Sequence, residues 1–110
     1  MEGAVFNNLS GIELNKGNME KSWKLTDMAF EIFREVNDLE SISWCEFQRA
    51  EYYIENKDIE NAIGHYRRSE SITYLSLSPM ERQMRKNLVL DRGKKNGFSE
   101  EQLNLIINED

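Results

Sequence analysis

Apolar side chains recur along this chain at intervals of three and four residues, with polar ones filling the positions between. Leu25, Met28, Ala29, Ile32 and Val36 form one stripe, Phe47, Ala50 and Ile54 a second, Ile59, Ala62, Ile63 and Tyr66 a third, and Leu77, Met80, Met84 and Leu88 a fourth. Such spacing puts side chains on one face of an α-helix, and no segment sustains the two-residue alternation of a half-buried strand. The stripes predict helices near 4–15, 19–36, 40–55, 59–75, 80–95 and 99–108, and an all-α fold. Each helix has an apolar face to bury, so the helices must pack on one another.

The breaks between stripes share a chemistry. Asn15-Lys16-Gly17-Asn18-Met19-Glu20, Glu55-Asn56-Lys57-Asp58-Ile59-Glu60 and Lys95-Asn96-Gly97-Phe98-Ser99-Glu100 each offer a residue for the left-handed end of a helix. A capping Asn18, Asp58 or Ser99 follows, then Glu at the positive end of the next helix dipole. Gly17, Lys57 and Gly97 stand forty residues apart, and the register extends past the turns. Leu14 matches Ile54, Met19 matches Ile59, Glu20 matches Glu60, Ser22 matches Ala62, Trp23 matches Ile63, Ala29 matches Ser69 and Ile32 matches Ile72 in size or polarity. A fixed period of this length marks a stack of helix pairs. Asn37-Asp38 and Ser78-Pro79 then become joints between repeats of approximately 1–37, 38–77 and 78–110, and Pro79 suits a first helical position.

Composition narrows the class. One Pro, six Gly and 39% hydrophobic residues in 110 fit a single helical-repeat domain spanning 1–110 with little loop. No apolar run approaches the roughly 20 residues that cross a bilayer, and the first residues lack the basic and apolar segments of a secretory signal. The lone Cys45 can form no internal disulfide, and a chain with one His and one Cys shows no ligand spacing for a metal. A cytoplasmic protein without membrane contact, metal or cofactor is expected.

The net charge of −6 is unevenly spread: residues 79–97 carry 6 basic and 2 acidic side chains, while the rest of the chain is acidic. The overall sign disfavours nucleic acid as a general partner. Arg82, Arg85 and Lys86 nevertheless share a helical face by their spacing, so the basic helix 82–95 supplies an alternative, nucleic-acid or phosphate binding. The plainer role is a solvated helix whose cations pair with the acidic remainder of the chain.

Around the second joint the residues resemble a tetratricopeptide repeat. Ala50 and Tyr53 stand at its small and aromatic positions on the first helix, Asp58 and Ile59 on its turn, and Ala62, Tyr66 and Ser69 on its second helix. The resemblance is good over 43–75, fair over 4–36 and weak after 80. It departs in its period of forty against about 34, and in Arg49, where an apolar residue is common. The longer helices are similar to the repeat domains of Rap-type anti-activators and of peptide pheromone and arbitrium receptors. Those receptors hold more repeats than 110 residues can, and no helix-turn-helix segment is expected ahead of these repeats.

The resemblance implies antiparallel helix pairs stacked as a short solenoid of about 2.5 repeats, whose first helices line a concave groove. Carried over position by position, it implies groove residues Asn7, Asn8 and Gly11, then Trp44, Phe47, Gln48, Glu51 and Glu55, then Met84, Asn87 and Asp91. In peptide-binding members such amides grip an extended backbone, since one side chain offers both donor and acceptor. It therefore implies a non-enzymatic regulatory module for a protein or peptide partner. For the asparagines the alternative is solvated helix surface, and for Trp44 and Phe47 it is core packing. His65 and Cys45 fall on different helices with no third group to orient them, so packing or solvation is expected of both and no catalytic residue is assigned. Leu103, Ile106 and Ile107 are expected to lie open at the end of the stack, favouring a homodimer or docking on a larger protein.

Overall fold

The computed structural model describes the backbone of residues 2–107; the side chains of Glu2, Ser76 and Ile107 lie outside the described residues. Among the described residues there are six helices and no strand: α1 (Glu2–Asn15), α2 (Met19–Glu35), α3 (Leu39–Glu55), α4 (Ile59–Ser76), α5 (Pro79–Lys95) and α6 (Glu100–Ile107). None is long and apolar enough to cross a membrane. The Cα radius of gyration, 13.3 Å, is that of a compact chain of this length.

Four of the five joints close by one backbone geometry. Gly17, Asn37, Lys57 and Gly97 take φ of 84°, 56°, 61° and 83°. Each donates its N–H to the carbonyl three residues back, and the next N–H reaches five residues back, as from Asp58 to Tyr53 at 2.9 Å. Those two bonds satisfy carbonyls left open at the helix end while the chain reverses. The fifth joint is different: Leu77 (φ −114°, ψ 158°) and Ser78 (φ −65°, ψ 160°) are extended, and Pro79 opens α5.

Asp38, Asp58 and Ser78 accept the N–H bonds of Ser41, Asn61 and Glu81, as N-caps should. Ser99 and Gln102 exchange such bonds reciprocally. Asn18 departs from the capping role expected of it: its amide donates instead to Glu13 at 2.9 Å. The charge-assisted bond to a carboxylate across the turn engages the side chain through its N–H in place of a cap through its oxygen.

Within a pair the helices run in opposite directions, with Ser43 bonded to Ser69 and Glu46 to His65. Successive reversals leave α1, α3 and α5 running the same way, with α3 tied to α5 by Ser43 with Arg85 and Glu51 with Arg92. One core cluster gathers Phe47, Ala50, Ala62, Tyr66, Val89, Phe98, Leu103 and Ile106; a smaller one holds Ala29, Phe33 and Cys45. Leu103 and Ile106 are 6% and 2% exposed, which corrects the open end expected of them. The short α6 folds back along α4, where Arg67 donates to the Leu105 carbonyl at 3.2 Å, and spends both side chains internally.

Arg49, out of place in the sequence pattern, is held by carboxylates and rings at once. Its guanidinium meets Asp27 at 2.9 Å and Glu46 at 3.3 Å, and its centre lies 4.4 Å from the Phe30 ring. The charge is neutralised and the guanidinium lies over a ring, so a cation serves between α2 and α3 where a hydrocarbon would usually sit.

Candidate binding cleft

The space between α1 and α3 is a cleft of about 410 Å³. From α1 come Asn7, Asn8 and Gly11, and from α3 come Trp44, Phe47 and Gln48, with Phe33 of α2 also in its wall. Gly11 keeps it open, because a β-carbon there would stand 3.6 Å from the Gln48 Oε1 and narrow the passage without clashing. Asn7 is half-buried and its Oδ1 has no hydrogen-bond partner. An acceptor so placed is costly unless something donates to it.

Trp44 is the hinge of the surface. It is 37% exposed, meets the edge of Phe47 at 5.5 Å, and has the Arg85 guanidinium 3.5 Å from its ring centre. On that second side opens another cleft of about 380 Å³, between α3 and α5, lined by Leu77, Met84 and Leu88 with Glu40 and Glu81. The two clefts meet at one indole. Large aromatic anchors flanked by adaptable methionine are what a protein surface uses to hold an apolar side chain.

Six of the eleven residues implied for the groove thus share the first cleft, and Met84 lines the second. The other four lie elsewhere. Glu51 is tied to Arg92 at 3.2 Å and to the Tyr66 hydroxyl at 3.0 Å; burial raises its pKa despite both partners. Glu55 and Asp91 are exposed, and Asn87 accepts from Gln83 at 3.0 Å on the open side of α5.

The basic face expected on α5 is divided. Arg85 is 5% exposed and donates to the Ser43 hydroxyl at 2.6 Å, while Arg82 and Lys86 are half-buried on the side facing α4. Burial lowers the Arg85 pKa, opposed by the fields of Glu70 and Glu40. Sequence reasoning took Arg85 for surface because it is charged; the available signal was register, since it stands forty residues after Cys45, itself fully buried. Leu77 and Leu88 were missed as lining residues because they lie on a stripe that reads as ordinary core, and Phe33 because it lies off the stripe read for α2, on the face of Ser22 and Thr26 that the structure buries.

Cys45 and His65 do not meet as a reacting pair. Burial pushes the Cys45 thiol up to about 12, and the His65 ring instead bonds Glu46 at 3.1 Å while stacking on Tyr53. At neutral pH the thiol keeps its proton and is a poor nucleophile. Comparison of the chain with protein-family models, with curated proteins and with solved structures returned no match.

Proposed function

We propose that this chain is a non-enzymatic regulatory module that binds a protein or peptide segment across its first helices, α1, α3 and α5. The observation that carries the reading is the convergence of Asn7, Asn8, Gly11, Trp44, Phe47 and Gln48 on one cleft. An extended segment laid there would offer its backbone to the amides and an apolar side chain to Trp44. The class of architecture we propose is a tetratricopeptide-like stack with a period of forty. Its support is that α2 buries Ser22, Thr26, Ala29 and Phe33 while α4 buries Ala62, Tyr66, Ser69 and Thr73, each forty residues on. Sequestration of a bacterial or phage regulator is the mode of action that the resemblance to Rap-type proteins suggests. The basic helix supports nucleic acid less well, because Arg85 is turned inward.

Selection from a displayed library of random peptides tests the reading. Selected peptides should lose about tenfold or more in affinity for Trp44→Ala, and several-fold for Asn7→Ala, by calorimetric titration. Binders indifferent to both changes in folded variants would sink it.

A further inference from the structure

A third cleft, of about 480 Å³, opens on the other side of α5, against α4. Its origin is local. The extended Leu77-Ser78 link lacks the tight reversal of the other joints, and the 8-residue α6 covers only part of the 18-residue α4. At 1.5 Å per residue those helices are roughly 12 Å and 27 Å long, so much of the α4 flank is left without a helical neighbour there. Ile106 borders the cleft at the α6 end, and Leu75 and Met80, 78% and 75% exposed, stand near its α4–α5 end.

The charge of this cleft is set by α5. Arg82 and Lys86 stand one turn apart, both lining it, and neither lies within 4.0 Å of a carboxylate among the described residues. The Arg82 guanidinium rests 4.6 Å from the Tyr74 ring centre, which fixes it in the wall, and its Nε–H has no acceptor. Thr73, 1% exposed, lines the same wall with a hydroxyl that also has no partner. Glu70 is the carboxylate of the lining, and its field acts on the buried Arg85. Donors without acceptors, two cations and an apolar margin are complementary to acid carried beside hydrocarbon.

We propose that this α4–α5 cleft is a second docking site, which takes a partner segment carrying carboxylates next to an apolar side chain. The carboxylates meet Arg82 and Lys86, and the apolar side chain lies over Leu75 and Pro79. It is distinct from the cleft at Trp44, so either site can fail without the other.

Fluorescence anisotropy with a fluorescein-labelled peptide of alternating Glu and Leu tests it, beside a matching Lys–Leu peptide. The acidic peptide should bind more tightly and weaken as salt rises. Arg82→Gln with Lys86→Gln should cost about tenfold in affinity, and Arg82→Glu with Lys86→Glu should reverse the preference toward the Lys–Leu peptide. Trp44→Ala should leave the binding unchanged. Amide shift mapping on the unaltered protein, free of any folding effect of the substitutions, should place the perturbations at Thr73, Tyr74, Arg82 and Lys86. Perturbations confined to α1 and α3, equal affinity for both peptides, or an acidic peptide indifferent to the substitutions would overturn the site. So would inorganic phosphate or an oligodeoxythymidine that outcompetes the peptide, because the cleft would then be a phosphate site.

Discussion

Lys57 is held at φ 61°, where a β-carbon crowds the following carbonyl, whereas Gly97 meets the same demand at φ 83° without one. The two joints therefore respond oppositely to exchange. Lys57→Gly should relieve about 0.5 to 1 kcal/mol of strain, partly offset by the greater freedom of glycine in the unfolded chain, and raise the urea midpoint slightly. Gly97→Ala should cost about 1 kcal/mol at a site where nothing lies within 4 Å of the added carbon, so any loss reports conformation alone. A midpoint unchanged by Gly97→Ala would show that the backbone can relax there. Gly93 presents a steric problem instead: a β-carbon would press into the Leu103 side chain and Phe98 where α5 meets α6.

Between elements, the polar ties decide as much as the apolar faces. Glu46 of α3 receives His65 of α4 and Arg49, and Arg49 reaches Asp27 of α2, so three helices share one network. Burial by itself would raise the Glu46 pKa; the His65 hydrogen bond and the fields of His65 and Arg49 outweigh it and hold the carboxyl below its ordinary value. A lowered folded value gives stability that is full above the unfolded pKa, about 4.3, and is lost as pH falls through the folded one. Glu46→Gln should then cost about 1.5 to 3 kcal/mol at pH 7, with the two proteins converging in acid. A difference that stayed constant down to low pH would assign the loss to packing instead of charge. Glu51, raised by burial, carries the opposite sign: its contribution is present below the unfolded pKa and is lost as pH rises through the folded one. Glu51→Gln should accordingly be neutral or stabilising at pH 7. These ties also mark the limit of what was legible. Helix spans came within one or two residues because three-four spacing and turn chemistry act locally, and the six cleft residues were carried over from the tetratricopeptide resemblance. Leu103 and Ile106 were not legible, because their burial depends on how α6 settles against α4, a contact between stripes that no local pattern encodes; for Arg85 the signal was the forty-residue register with Cys45, which its charge masked.

Over the whole molecule, stability should be graded from the α3–α4 pair toward α1. The larger apolar cluster lies in α3, α4, α5 and α6, whereas α1 meets its neighbours through a buried hydroxyl cluster together with Phe6, packed on the smaller apolar cluster, and the buried Leu14. Ser10 there bonds the Ser22 carbonyl at 2.7 Å and meets the hydroxyls of Ser22 and Thr26. Small hydroxyl residues permit close approach, but each bond contributes only about 1 kcal/mol net and little apolar area. On its outer side α1 leaves Val5, Leu9 and Ile12 40–54% exposed, so those side chains stabilise it little. Amide hydrogen exchange should therefore find α1 opening at lower free energy than α3 and α4, as a separate unit. Ser10→Ala should widen that gap. Because α1 forms one wall of the Trp44 cleft, a peptide bound across α1 and α3 should slow exchange in α1 more than in α4, since it stabilises only states in which both walls are in place. Equal protection of α1 and α4 before binding, or a bound peptide that slows α4 while leaving α1 unchanged, would place the weak element and the ligand elsewhere.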